Sequence, residues 1–114
     1  MNEAMNVRGI ILNRAFLEWE WIGSPEAVSL YIYLLLRAST KDNVICGQNV
    51  SRGQVIILRG TLVRELGISV QKMTTALRRL QEGGHISIDK ARRYYLITLN
   101  KYDEFAVSDL PQVH

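Results

Sequence analysis

Two short helices joined by a tight turn are predicted for segment 61–80, which reads TLVRELGISVQKMTTALRRL. Gly67 can leave the helical region without steric cost, and Ser69 is a favourable N-cap for the second helix. Only Thr61 is available to cap the first helix, so the sequence does not fix where that helix begins. The apolar face of the first helix is formed by Leu62, Val63 and Leu66.

The second helix of this pair has two faces of different chemistry. Helical spacing places four apolar residues on one face, namely Val70, Met73, Leu77 and Leu80. The opposite face is polar and cationic, with Gln71, Thr75 and Arg78 at its centre and Lys72, Thr74 and Arg79 at its margins. A helix that reads the major groove needs this combination, but an ordinary helical hairpin would leave the same face in solvent. Both interpretations are open from this segment alone.

A basic β-hairpin is predicted directly after the two helices. Gly83 and Gly84 end the second helix, and segments 86–88 and 93–99 are rich in β-branched and aromatic residues. The tip of the predicted hairpin carries Lys90, Arg92 and Arg93. Two helices followed by a basic hairpin predict an α+β, mostly α, winged helix-turn-helix fold. In that fold the second helix enters the major groove and the cations of the wing reach phosphate or the minor groove.

The distribution of charge supports a nucleic-acid partner more than the total does. The chain of 114 residues has a formal net charge of only +3. Residues 61–101 carry eight basic and three acidic side chains, a net +5, whereas residues 102–114 carry three acidic side chains and no basic one. Binding to DNA requires positive charge on the contacting elements, although a mild excess of this size also occurs in proteins that never meet DNA.

Several functional classes find no support in the sequence. Cys46 is the only cysteine, so no intrachain disulfide can form and a reducing cytoplasm is the expected location. The apolar run 30–36 is too short to span a bilayer, and no signal peptide is recognisable. His85 and His114 stand without a metal-ligand pattern, and no catalytic or phosphate-binding motif is present. We therefore expect no enzyme, no metal and no cofactor.

The first half of the chain predicts a helical core. A helix is predicted for residues 14–21, whose Trp19 and Trp21 either fix this segment to the core, which we favour, or form a stacking or docking patch. Ser24-Pro25-Glu26 is a strong helix start. The helix that follows, ending near Ala38, is apolar nearly all round and should be the central buried helix, with its tyrosines Tyr31 and Tyr33 at the margins.

The remaining segments complete a single domain over residues 8–105. Residues 7–12 predict a short strand or extended arm, residues 39–49 a polar loop, and residues 55–58 a strand that pairs with the wing. Tyr102 and Phe105 are expected to pack back onto the core. Residues 1–7 and the acidic residues 106–114 are expected to be flexible ends.

The order of these segments resembles one known family. LEWEW, YLLLRAS, a basic RGQ turn, LGISVQKMTTALRRL with its following G-x-I, and a closing tyrosine resemble the N-terminal winged-helix domain of phage replisome-organiser and DnaD-like primosomal proteins. The resemblance covers roughly residues 8–105. It implies a DNA-binding domain used in replication initiation, of phage, plasmid or bacterial origin, that often self-associates within a longer protein.

Departures from the family limit what the resemblance carries over. The usual serine cap ahead of the first motif helix falls at Leu58, and an arginine often present in the recognition helix corresponds to Thr74. The chain ends soon after the matched region, so the resemblance does not extend to helicase loading. The candidate DNA contacts are Ser69, Gln71, Lys72, Thr74, Thr75, Arg78 and Arg79 in the helix and Lys90, Arg92 and Arg93 in the wing.

The expected partners are duplex DNA rather than single strands, a second or further copies of the chain, and replication proteins; no membrane is expected. The main alternative is a winged helix that serves as a protein-interaction or oligomerisation module, since fold alone does not decide function. A small transcriptional regulator would share the same DNA contacts.

Overall fold

A computed structural model describes residues 11–45, 47–58 and 60–107. Within these ranges the chain is an α+β domain with a short 3-10 helix at Arg14–Glu18. The α-helices are α1 Pro25–Arg37, α2 Thr61–Leu66, α3 Val70–Glu82 and α4 Tyr102–Phe105. The strands are β1 Ile11–Leu12, β2 Asn43–Ile45, β3 Gln48–Val50, β4 Gln54–Leu58, β5 Ile86–Lys90, β6 Tyr94–Leu99 and β7 Ala106–Val107. The predictions of flexible ends at 1–7 and 108–114 and of an arm at 7–10, as well as Cys46 and His114, lie outside the described residues.

Helix α1 begins where the sequence predicts and forms the centre of the core. The Ser24 hydroxyl accepts a hydrogen bond from the Ala27 amide at 3.4 Å, and Pro25 occupies the first helical turn. The prediction of a central buried helix is confirmed, because one whole side of α1 is buried: Ala27, Leu30, Tyr31, Leu34 and Leu35.

The two tyrosines of α1 differ from each other, and the prediction that both lie at the margins is wrong for Tyr31. Tyr31 is fully buried, with its ring 4.8 Å from that of Trp19 between centroids. Burial, with a smaller contribution from the charge of Glu104, raises the pKa of the Tyr31 phenol above its ordinary value. Tyr33 is partly exposed and accepts a hydrogen bond from Arg37 at 2.9 Å.

The segment before α1 is a 3-10 helix and not the longer helix predicted for residues 14–21. It ends at Glu18 because Trp19 adopts an extended conformation, and this leaves Leu17 72% exposed. Trp19 is buried and stacks on Phe16, with ring centroids 4.9 Å apart. Its role is therefore to fix the segment to the core, as the favoured interpretation predicts.

The central sheet has the strand order β4-β6-β5, and all of its pairs are antiparallel. Val55 lies opposite Ile97, which in turn lies opposite Ile88. The predicted pairing of the strand at 55–58 with the hairpin is thus confirmed. Val55, Ile57 and Ile97 are buried, so one face of the sheet is covered by the helices.

Two smaller sheets were not predicted. Strands β2 and β3 form a hairpin that begins inside the predicted polar loop 39–49 and extends to Val50; Val44 in β2 is 64% exposed. The Tyr94 hydroxyl donates a 3.0 Å hydrogen bond to Gln48 and so links this hairpin to the central sheet. Strand β1 pairs with β7, so residues 106 and 107 of the predicted flexible end are part of a sheet, and the predicted boundary at residue 105 falls beside this pairing.

Candidate nucleic-acid interface

Helix α3 is fixed at its start by its cap and along its length by an apolar face. The Ser69 hydroxyl accepts a 3.1 Å hydrogen bond from the Lys72 amide, which confirms Ser69 as the N-cap. Gly67, with a φ of 66°, ends α2 in the left-handed conformation that glycine adopts readily. The α3 side chains that are buried against α1 and the sheet are Met73, Ala76 and Leu80.

The exposed face of α3 carries most of the residues that the sequence predicts there. Gln71, Lys72, Thr74 and Arg78 are exposed, as is Ser69, although the Ser69 hydroxyl is already used as the cap. Hydrogen-bonding and cationic side chains thus lie together opposite the buried stripe. This part of the predicted set is brought together in one place.

Arg79 has a different environment from Arg78, its neighbour in sequence. The Arg79 guanidinium lies over the indole ring of Trp21, 5.3 Å from the ring centroid, and Arg79 is half-buried. A cation held over an aromatic face is engaged within the protein. Arg79 is therefore better described as part of the support of α3 than as a side chain that reaches outward.

One flank of α3 faces the start of α1 across a groove. The groove has a volume of about 400 Å³, and Lys72, Thr75 and Arg79 line its α3 side together with Gln71. Glu26, in the first turn of α1, lines the other side. This carboxylate places negative charge beside the cations of α3, where it would oppose the approach of a phosphate.

The other flank of α3 faces the sheet and contains an exposed apolar side chain. Val70 is 67% exposed, although the sequence predicts it in the buried stripe. The prediction is wrong because Val70 is the first residue of the helix, at the edge of the buried stripe, and Ala76 takes part in the buried face instead. Val70 and Thr74 line a cleft of about 170 Å³ whose opposite side includes Leu58 and Tyr95.

The hairpin β5–β6 carries the predicted basic tip. The Ala91 amide donates a 2.9 Å hydrogen bond to the Tyr94 carbonyl and closes the turn, and Arg92 and Arg93 are exposed there. Lys90 is the last residue of β5, opposite Tyr95, and is also exposed.

Leu58 connects α3 with this hairpin. Leu58 is 54% exposed and lines both the cleft beside Val70 and Thr74 and a second hollow of about 530 Å³ beside Arg92 and Arg93. The predicted helix and hairpin residues therefore border one another through Leu58. We refer to the exposed α3 residues, Leu58 and the hairpin tip as the helix–hairpin surface.

A buried histidine supports the far end of α3, and its partners could not be recognised from the sequence. His85 is 2% exposed, and Glu20 lies 2.7 Å from its Nε2. The indole N–H of Trp19 lies 3.2 Å from both ring nitrogens; because Glu20 accepts from Nε2, Nδ1 is the nitrogen left to accept from the indole. A side chain at Gly83 would approach Glu20 to 2.9 Å, so glycine allows this contact. Glu20 and His85 are 65 positions apart in the chain, so sequence patterns within a single helix or strand could not predict their contact.

Within residues 11–45, 47–58 and 60–107 no group of three or more histidine, cysteine or acidic side chains is placed to hold a metal ion. Among the helices in the same ranges, none combines the length and the apolar character that crossing a membrane requires.

Comparison of the chain with protein-family models, with curated proteins and with solved structures finds no significant match.

Proposed function

We propose that this chain is a DNA-binding domain of the winged helix-turn-helix type. In this proposal α2 and α3 are the helix-turn-helix, and β5 and β6 are the wing. The observation that carries the proposal is the helix–hairpin surface, on which hydrogen-bonding and cationic side chains of α3 lie beside a hairpin tip with two exposed arginines. This combination fits the major groove together with the adjacent backbone.

Each part of the surface has its own role in the proposed complex. Gln71 and Thr74 are exposed along α3 and offer hydrogen bonds to base edges, and Thr75 does so from the groove beside Glu26. Lys72 and Arg78 bind phosphates, or a guanine in the case of Arg78. Arg79, stacked on Trp21, supports α3 from its flank rather than contacting DNA.

The wing supplies affinity that depends on salt and little on sequence. Arg92 and Arg93, with Lys90 at the end of β5, are exposed cations on a short turn. Each phosphate that such a cation neutralises releases counterions. For each of these phosphates, the logarithm of the binding constant falls by about 0.9 for every tenfold increase in salt.

The biological setting of the proposal comes from the sequence resemblance alone. That resemblance favours replication initiation as the process, with self-association of the chain and with other replication proteins as partners. The preference for duplex DNA follows instead from the proposed entry of α3 into the major groove. The same helix–hairpin surface would also serve a transcriptional regulator.

The test is a salt titration of binding to labelled duplex and single-stranded DNA by fluorescence anisotropy. We expect duplex binding that weakens steeply with salt, a slope reduced by about one for Arg78→Ala, and a slope reduced by about two for Arg92→Ala/Arg93→Ala. Lys41→Ala is the control for loss of one charge. Lys41 is exposed and lies two residues after Ser39. The Ser39 amide donates a hydrogen bond to the carbonyl of Gln54, the first residue of β4, whereas Leu58 is the last residue of that strand.

Two results would refute the proposal. One is the absence of duplex binding at low salt. The other is a change of slope in Lys41→Ala as large as that in Arg78→Ala, and as large per removed charge as that in the wing variant. Either result, together with a stable oligomer in light scattering, would favour the protein-interaction module instead.

A further inference from the structure

Two methyl-bearing side chains stand exposed one helical turn apart at the start of α3. Val70 is 67% exposed and Thr74 is exposed, and their spacing of four residues places both on the same side of the helix. About 6 Å separates them along the helix axis. Val70 lies outside the stripe that fixes α3, which consists of Met73, Ala76 and Leu80.

Polar and cationic side chains surround these two residues. Gln71, which follows Val70, is exposed, and Arg78 is exposed one turn beyond Thr74. On the other side the cleft leads through Leu58 to the arginines of the hairpin tip. Apolar groups flanked on both sides by cations fit a ligand that has a small apolar group between negative charges.

The major groove of DNA offers one apolar group, the C5-methyl group of thymine. In helix-turn-helix proteins the first residues of the second helix are those that contact base edges. We infer that Val70 and Thr74 contact C5-methyl groups of pyrimidines, so that the bound site contains thymine opposite the start of α3. This inference rests on the proposed function and adds to it the identity of a base that is read.

The expected effect is modest and specific to the methyl group. Covering one methyl group contributes about a threefold to fourfold change in affinity. Replacement of thymine by deoxyuridine removes this group and leaves every hydrogen-bonding atom of the base pair unchanged. The same loss should follow Val70→Ala on the protein side, and the two changes together should have little more effect than either alone.

The chain offers a closely matched control. Val44 is 64% exposed, against 67% for Val70, but lies on the β2–β3 hairpin. Val44→Ala therefore removes the same two methyl groups from an equally exposed valine without touching α3. Any general effect of lost apolar surface should appear in both variants.

The experiment selects bound sequences from a random duplex library with the wild-type chain and then replaces each thymine of the selected site by deoxyuridine. We expect one or two thymines whose replacement weakens binding about threefold in the wild type and in Val44→Ala. For the thymine that Val70 contacts, this effect should be absent in Val70→Ala. Replacing such a thymine by 5-methylcytosine, paired with guanine, should retain the contribution of Val70 to binding.

The outcomes separate the inference from the proposed function. Salt-dependent duplex binding with no thymine that responds in this way would overturn the methyl contact and leave DNA binding intact. Recovery of no preferred sequence from the library would do the same. Absence of binding to any duplex would overturn both.

Discussion

The adjacent residues Arg78 and Arg79 should respond to alanine substitution in opposite ways. Arg78 is exposed on the face of α3 opposite its buried side chains, whereas Arg79 lies over Trp21 at 5.3 Å. We expect Arg79→Ala to lower the stability of the fold and Arg78→Ala to leave it nearly unchanged. DNA binding should show the reverse pattern, with the larger specific loss in Arg78→Ala.

The size of the stability effect follows from the environment of Arg79. A cation–π contact contributes about 0.5–1 kcal/mol when exposed and about 2 kcal/mol when desolvated, and a half-buried pair lies between these limits. We therefore expect Arg79→Ala to lower the free energy of unfolding by about 1 kcal/mol. For a chain of this length that corresponds to a Tm lower by about 4 °C. Arg78→Ala, a surface change, should stay within about 2 °C of the wild type.

The stability of both variants is measured by thermal unfolding followed by circular dichroism. Arg79→Lys is measured as a third variant, because lysine keeps the charge but lacks the planar group that stacks on Trp21. DNA binding is measured for the same samples at temperatures well below unfolding. If Arg78→Ala were the variant that melts early, or if Arg79→Ala melted with the wild type, the separate roles of the two arginines would be wrong.

Three further predictions concern the groove, the cap and the core. Glu26→Gln should raise affinity for duplex DNA about twofold, because it removes the negative charge across the groove from Lys72. It should also slightly lower Tm through loss of a favourable helix-dipole interaction. Glu104→Gln, which removes an exposed acid from the first turn of α4, is the control in anisotropy and should change affinity less. Ser69→Ala should lower the free energy of unfolding in urea by about 1 kcal/mol, since it removes the cap of α3, and an unchanged midpoint would contradict that role. Leu80→Ala should lower it by about 2–5 kcal/mol because Leu80 is fully buried; a loss below about 1 kcal/mol would mean that the end of α3 is loosely packed.

The sequence predicted correctly those features of the fold that depend only on residues close together in the chain, such as the starts of helices. Ser24, Pro25 and Glu26 identify the start of α1, and Ser69 identifies the start of α3, because a cap involves only residues within one turn. The strand at β4 was likewise predictable from its β-branched residues. Most of the exposed face of α3 followed from helical spacing once the ends of the helix were known.

Features that depend on distant residues could not be read in this way. Spacing alone grouped Val70 with the buried stripe, but its exposure depends on where the elements packed against α3 end. Tyr31 is buried because Trp19 covers it, and the support of His85 by Glu20 joins elements far apart in the chain. The stacking of Arg79 on Trp21 is of the same kind. Each of these contacts requires the tertiary structure before it can be recognised.

The pairing of β1 with β7 determines how the domain should respond to tension. Ile11 lies opposite Val107, and Leu12 lies opposite Ala106. A force that pulls Ile11 and Val107 apart therefore acts on one pair of residues of the two strands at a time. Hydrogen bonds loaded in sequence separate at lower force than bonds loaded together along the strands. The seam between β1 and β7 would therefore open first, and α3 and the β5–β6 hairpin would bear no load until it had opened.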